Sequence, residues 1–228
     1  LHSHILPGID DGAKSINEAV QMARIAASNG TTRMLCTPHR KDVTEGSSIN
    51  HIRELVFNIN KSLQQENLNI ELFLGMENHL DRQLPTEFTA GRALTINGSR
   101  YALVEMPFFG YPSYLKEVLS TLQDNGITPV LAHPERIQAV QRDIALLVDL
   151  IEQGMLTQIT AGSVLGYFGD TVSKFTRVLL EQRMVHVIAS DCHTPEGPRS
   201  PKLLPGINAI IKIIGEIETK AMVTDCLL

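Results

Sequence analysis

Histidines and carboxylates recur along this chain at spacings suited to holding metal ions. His2-x-His4 and Asp191-x-His193 each set two donors two residues apart. In an extended segment alternate residues point to one side, so each pair aims both side chains at one place while Ser3 and Cys192 point elsewhere. His39, Glu77, Glu105 and His133 follow at wide intervals, and Asp11 lies just beyond the first pair. Imidazole and carboxylate without thiolate suit divalent ions such as manganese, iron or zinc, and the many oxygen donors favour two or three ions. Clustered ions lower the pKa of a bound water and clamp the attacking and leaving oxygens of an in-line displacement, so a metal-dependent hydrolase is expected.

The elements that must position these donors alternate between strand-length apolar runs and helical periodicity. Ser15-x-x-Glu18 predicts a capping box opening a helix that ends near Gly30, and residues 33–36 predict a strand. Ile49, Ile52, Leu55, Val56, Ile59 and Leu63 keep a 3.6-residue period, and 70–74 follows as a strand. Asn97-Gly98 predicts a tight turn before a strand at 101–104, and Ser113 is expected to cap a helix running to Gly126. Strands at 127–132, 157–160 and 185–189 alternate with helices ending near Gly154 and centred on Phe175 and Leu179. With one truncated strand before His2, about seven strands result. Strands separated by such helices imply parallel pairing and right-handed crossovers. No G-x-G-x-x-G follows the first strand, so a dinucleotide site has no support.

His2 and His4 then follow the first strand, His39 the second, Glu77 the third, Glu105 the fourth, His133 the fifth, and Asp191 with His193 the seventh. A single such residue is more often a solvated loop residue or a cap. Its recurrence at six strand ends favours a β/α barrel, in which the C-terminal strand ends share one rim. His51 on a helix and His186 inside a strand lack this placement and read as structural; His79, two residues after Glu77, is within reach of the rim, but a loop role is favoured.

The 228 residues suit one domain over 1–228, with a few further residues expected beyond each end because the chain opens with a motif already under way. Hydrophobic residues at 43% and charged residues at 20% exclude a disordered chain. The formal net charge of −5 works against a nucleic-acid partner, since such binding rests on Lys and Arg neutralising phosphates. No apolar run approaches the roughly 20 residues of a membrane helix. Cys36, Cys192 and Cys226 show no C-x-x-C spacing, which argues against a disulfide framework. A cytoplasmic protein without membrane insertion is expected.

His2-Ser3-His4-Ile5-Leu6-Pro7-Gly8-Ile9-Asp10-Asp11-Gly12, Thr37-Pro38-His39, Gly75-Met76-Glu77, Tyr101-Ala102-Leu103-Val104-Glu105, His133-Pro134-Glu135-Arg136 and Val187-Ile188-Ala189-Ser190-Asp191-Cys192-His193 together resemble one family across nearly the whole chain. It is that of the bacterial manganese-dependent protein tyrosine phosphatases of the PHP (polymerase and histidinol phosphatase) superfamily, encoded with capsule and exopolysaccharide genes. The resemblance implies a distorted seven-stranded β/α barrel, a trinuclear metal centre, and dephosphorylation of autophosphorylated tyrosine kinases that drive polysaccharide export. It places the ligands at His2, His4, Asp11, His39, Glu77, Glu105, His133, Asp191 and His193. It places one phosphate-binding arginine at Arg136 and a second, beyond the last ligand, at Arg199.

The planar fork of Arg136 suits two phosphate oxygens; its plainer role would be a salt bridge with Glu135 or Asp143. A cysteine mechanism needs Cys-x5-Arg, but Cys36 meets Asp42 at that offset and Cys192 meets Pro198, with Arg199 one residue late. The aromatic loop 106–112 suits either a slot for a phosphotyrosine ring or packing on the rim, and 162–168 is a second candidate. Other readings are a different PHP phosphoesterase, such as a histidinol-phosphate phosphatase or a nuclease, an amidohydrolase, which commonly needs a bridging residue after strand four where Glu105 stands, and a non-catalytic metal-binding domain.

Overall fold

A computed structural model describes residues 1–224; Cys226, one of the three cysteines considered above, lies outside the described residues. Helix α1 (Ile16–Ser28) starts where Ser15 Oγ accepts the Glu18 amide at 3.2 Å, while the Glu18 carboxylate reaches past the cap to accept the Lys14 amide at 2.8 Å. Its buried face of Ala19, Val20, Met22, Ala23 and Ala26 joins Ile52, Leu55, Ile59 and Leu63 of α3 (Ile49–Gln65). Both pack on Met34 and Cys36 of β1 (Arg33–Cys36) and Leu72 of β2 (Glu71–Leu74). Burial of each large aliphatic side chain contributes roughly 1.5–3 kcal/mol, which holds this pair of strands beneath the two helices.

β1 and β2 form a parallel two-stranded sheet. The strands β3 (Asn78–His79), β4 (Tyr101–Glu105), β5 (Thr128–Ala132), β6 (Leu156–Thr160) and β7 (Val187–Ala189) form a second parallel sheet in that order. Every neighbour is the next strand in sequence, so the sheet lacks the reversal of strand order that marks a doubly wound fold. Leu119 and Leu122 of α5 (Leu115–Asp124), Leu147 and Leu150 of α7 (Ala145–Glu152), and Leu179 and Leu180 of α9 (Asp170–Glu181) share a cluster with Val104, Leu131 and Ile188 of the sheet. The alternate strand residues Leu103, Val130 and Ala132 instead meet Leu35 of β1 and Ile96 in a smaller cluster. Thus the two sheets turn opposite-facing residues toward one shared interior, as the two-residue strand period requires.

The α/β architecture and parallel pairing match expectation, with differences in detail. The first expected strand is represented among the described residues by the bridge Ser3↔Cys192. β3 is separate because the chain, after pairing with β1, passes Gly75 and pairs with β4 instead. Ser113 does not cap α5: Tyr114 holds the cap position without a side-chain hydrogen bond, and the Pro112 carbonyl accepts the Leu115 amide at 3.1 Å. Asn97 and Gly98 both have positive φ, +48° and +72°, as the tight turn requires. Helices α2 (Arg40–Gly46), α4 (Leu84–Thr89), α6 (Gln138–Arg142) and α8 (Ala161–Val164) are too short to show a period in sequence. The last elements of the described residues are α10 (Leu204–Ile214) and α11 (Glu216–Thr224).

Gly206 lets α10 approach α8: a Cβ there would sit 2.7 Å from both the Cβ and the carbonyl oxygen of Ala161. Alanine in a helix normally gains about 1 kcal/mol over glycine, whereas overpacking costs about 1–3 kcal/mol. Gly206→Ala is therefore expected to lower the denaturant midpoint, and a raised midpoint would show that the two helices have room to separate.

Candidate metal centre

Backbone pairing gathers the donors. Segment 2–4 lies between the ends of β7 and β1: the Asp191 amide donates to the His2 carbonyl at 3.0 Å, the His4 amide to Cys192 at 2.8 Å, and the Thr37 amide to Ser3 at 2.8 Å. Ser3 Oγ donates to the Leu35 carbonyl at 2.7 Å, so Ser3 faces away from His2 and His4, as the alternation predicts. The Glu77 amide donates to the Pro38 carbonyl at 3.1 Å, which sets Glu77 beside His39.

Glu77 lies at the centre of the resulting cluster. Its Oε2 is 3.2 Å from His2 Nε2, 3.3 Å from His4 Nε2 and 3.1 Å from His39 Nδ1, and its Oε1 is 3.1 Å from His133 Nε2. The Nε2 atoms of His2 and His4 are 3.1 Å apart. Asp191 Oδ1 lies 3.4 Å from His2 Nε2, Glu105 Oε1 3.7 Å from His133 Nε2, and Asp11 Oδ1 3.2 Å from His193 Nε2. All nine residues expected as ligands are thus brought together. Three groups of donor atoms, each within 4.8 Å, account for eight of them: His2, His4 and Glu77; Glu77, Glu105 and His133; and His4, Asp11, His39 and His193. Asp191 borders the first.

Outer acceptors turn the imidazoles inward. Gln158 Oε1 accepts from His2 Nδ1 at 2.8 Å, Asp10 Oδ2 from His4 Nδ1 at 2.7 Å, and the Asp191 carbonyl from His193 Nδ1 at 3.0 Å. Each turns Nε2 toward the cluster, where on loss of any proton its lone pair would meet a metal ion, the usual outer shell of a metal-binding histidine. Asp10 also accepts the amides of Gly12 and His39, at 3.0 and 3.2 Å. Any Cβ at position 12 would overlap the His4 carbonyl oxygen at 1.8 Å, so glycine is required there. In Asp10-Asp11-Gly12 the first aspartate orients, the second faces the cluster, and the glycine permits the turn.

Charge compensation is extensive. Burial alone would lower the pKa of His4, but its bonds to Asp10 and Glu77 raise it to about 10. Burial would raise Glu77, but the charge of His2 and hydrogen bonding from His133 hold it well below the usual carboxylate range. A hydrogen bond from His193 outweighs burial and depresses Asp11, whereas burial and the nearby Glu77 raise Glu105. Raised pKa values at His4, His39 and His133, each bonded to a carboxylate, let those imidazoles offset the buried negative charge where divalent ions would, and the 3.1 Å approach of the His2 and His4 Nε2 atoms fits such an ion. Two donors also sit in left-handed backbone, His133 at φ +36° and Asp191 at φ +50°. For non-glycine residues this costs about 1–3 kcal/mol each and is typical of functional sites.

Arg136 does not pair with Glu135 or Asp143. Its Nη1 donates to Asp191 Oδ2 at 2.8 Å, and its Cζ lies 4.8 Å from the Phe108 ring centre and 4.5 Å from that of Phe168. Both aromatic loops singled out in the sequence therefore reach this arginine. Glu135 is buried and accepts from the Thr160 amide at 2.9 Å and Ser163 Oγ at 2.7 Å. Arg199 lies 3.4 Å from both Asp11 and Asp191, with Nη2 against His193 Nε2. Cys36 and Cys192 are buried in the α1–α3 layer; burial raises both thiols, that of Cys192 to about 12, so neither is a ready nucleophile.

Three further residues belong to the site beside the nine expected ligands. Asp10 was hidden beside Asp11, and Gln158 carries no ligand chemistry of its own. His79, read as a loop residue, lies in β3 with Nε2 3.2 Å from Glu105 Oε2. Glu77-x-His79 repeats the two-residue spacing of the other donor pairs, and that was the available signal. His51 is exposed on α3, and His186 Nδ1 accepts the Thr157 amide, as structural residues.

The family model for capsular polysaccharide synthesis, CpsB/CapC, matches residues 1–226. The tyrosine-protein phosphatase YwqE of Bacillus subtilis is 34% identical over 193 residues, 85% of this chain and 76% of the relative. The tyrosine-protein phosphatase CpsB of Streptococcus pneumoniae is 28% identical over 230 residues, 99% and 94% of the two chains. A crystal structure from work on YwqE and CpsB, described as metal-dependent tyrosine phosphatases, superposes with a TM-score of 0.90 at 30% identity, covering 97% of this chain and 89% of that one. An adenine deaminase from Arthrobacter aurescens, at 11% identity and a TM-score of 0.50, shares the fold alone.

Asp10→Asn is expected to weaken divalent-metal affinity about 10- to 100-fold, the usual effect of losing an outer-shell carboxylate. Calorimetric titration of metal-stripped protein checks this, and unchanged affinity would remove Asp10 from the orienting role.

Proposed function

Since the chain belongs to the CpsB/CapC family of capsular polysaccharide synthesis, we propose that it is a metal-dependent protein tyrosine phosphatase working at the Glu77-centred cluster. The observation that carries this reading is the convergence of nine buried or rim-facing His, Asp and Glu side chains with Arg136 and Arg199. The proposed ligands are His2, His4, Asp11, His39, Glu77, Glu105, His133, Asp191 and His193, holding two or three ions; the family resemblance points to manganese, and the nitrogen and oxygen donors suit iron or zinc as well. Bound ions supply Lewis acidity and hydroxide near neutral pH.

The chain's own residues do the rest. Arg136, steadied by Asp191 and two aromatic rings, presents a planar fork to two phosphate oxygens, which a lysine would meet as a point charge. Arg199, beside Asp11 and Asp191, adds a second cation for the substrate dianion. Met106, Pro107, Phe108 and Tyr114 wall a cavity of about 430 Å³ that includes His39 and Glu105. An apolar slot against the cluster suits an aryl phosphate and gives a short aliphatic phosphate little contact. These features favour phosphotyrosine over a histidinol phosphate, and filled donor positions favour catalysis over a non-catalytic metal-holding role.

The substrate is read as an autophosphorylated bacterial tyrosine kinase of capsule or exopolysaccharide synthesis, met in the cytoplasm. Among the described residues no helix is long and apolar enough to cross a membrane. The fold is read as a distorted seven-membered β/α ring in which β2 and β3 count as one interrupted member and segment 2–4 supplies the seventh, supported by its bonds to both Cys192 and Thr37.

Protein stripped with chelator is expected to lose hydrolysis of a tyrosine-phosphorylated peptide, regain it with manganese, and act poorly on a serine-phosphorylated control. Restored protein that ignored both peptides but cleaved histidinol phosphate would overturn the tyrosine reading. Arg136→Lys is expected to lower kcat/KM on the phosphotyrosine peptide about 10- to 100-fold, as for one charged hydrogen bond of about 1.5–3 kcal/mol; steady-state kinetics at saturating manganese measures it.

A further inference from the structure

His79 has no place in the nine-residue ligand set, yet the backbone fixes it beside that set. It is the register partner of Glu105 across the β3–β4 pair, so both side chains leave adjacent strands at the same level. It also stands two residues after Glu77, on the same face of the extended chain. Its Nε2 is 3.2 Å from Glu105 Oε2, and its ring centre is 5.3 Å from that of His39. His39, His79 and Glu105 each place a donor atom within 4.8 Å of the others.

Glu105 divides its oxygens between two environments. Oε1 faces His133 at 3.7 Å, inside the cluster, while Oε2 faces His79. A carboxylate so placed can give one oxygen to each of two ions. Among the described residues His79 Nδ1 is buried without a hydrogen-bond partner, so none of them satisfies the ring from its other side. The side chains of His2 and His4 are 0% exposed, but those of His79 and Glu105 are 34% and 12% exposed and line the cavity of about 430 Å³ with His39 and Lys41. Three protein donors facing an open cavity are the usual arrangement of an exchangeable site, with positions left for water or ligand oxygens.

We propose that His39, His79 and Glu105 form an additional divalent-metal position on the rim, sharing both His39 and Glu105 with the inner cluster and gaining only His79 as a donor of its own. It rests on the metal-dependent reading above. It binds more weakly than the inner positions because it is open to solvent and shares its carboxylate. An ion held there faces the cavity wall of Phe108 and Tyr114.

The test is equilibrium dialysis of the full chain against graded manganese, with bound metal counted by elemental analysis, for the parent, His79→Ala and His79→Gln. The parent is expected to bind about one equivalent more than either variant, drawn from the weakest class, while the tighter classes keep their affinity. Equal stoichiometry with unchanged affinities overturns the proposal. So does equal stoichiometry with one tighter class weakened, because His79 would then only position Glu105. Should His79→Ala fail to fold, His79→Gln decides alone, since it keeps a polar side chain of similar reach without the imidazole. A parent that binds no manganese overturns the metal-dependent reading itself, an outcome distinct from the other two.

Discussion

Glu77, 1% exposed, lies within 3.3 Å of nitrogens from four imidazoles, and the rest of the molecule is arranged to make that burial possible. A lone carboxylate in such a place would be strongly destabilising or would take up a proton. Here His2 and His4 arrive from the segment between β7 and β1, His39 from the end of β1, and His133 from the end of β5. Parallel strands make this possible, since all present their C-terminal ends at one rim. An antiparallel order would send alternate donors to opposite ends of the sheet.

Outer contacts then convert proximity into orientation. Gln158, Asp10 and the Asp191 carbonyl hold the Nδ1 side of three histidines, so their Nε2 atoms face the cluster. The required geometry strains the chain locally, in the left-handed backbone of His133 and Asp191 and in the close passage of Gly12 over His4. Those strains are sustained by packing elsewhere: α1 and α3 cover the small sheet, and α5, α7 and α9 cover the large one. The aromatic pair Phe108 and Phe168 extends the same logic to Arg136, whose guanidinium lies within 4.8 Å of both ring centres while it donates to Asp191.

Much of this was legible in the residues. The 3.6-residue rows of α1 and α3, the Ser15 cap, the Asn97-Gly98 turn and the strand runs follow from local sterics and from the need to bury apolar faces, which act over a few residues. The two-residue spacing of His2 and His4, and of Asp191 and His193, predicts their shared direction for the same reason. The types of the donors limit the chemistry to divalent ions, and the family resemblance narrows it to phosphotyrosine. Less legible were the short helices, which have too few turns to show a period, and β3, whose two residues carry no strand pattern.

Residue type and near-neighbour spacing thus govern the kind of chemistry, the alternating α/β order and the residues available to perform it. Tertiary structure alone decided which side chains meet: that Arg136 pairs with Asp191 and not with its neighbour Glu135, that Phe168 reaches the same guanidinium as Phe108, and that His79 stands level with Glu105. Those relations depend on the register and order of strands separated by tens of residues, which cooperative packing of the whole core sets and no local pattern in the chain encodes.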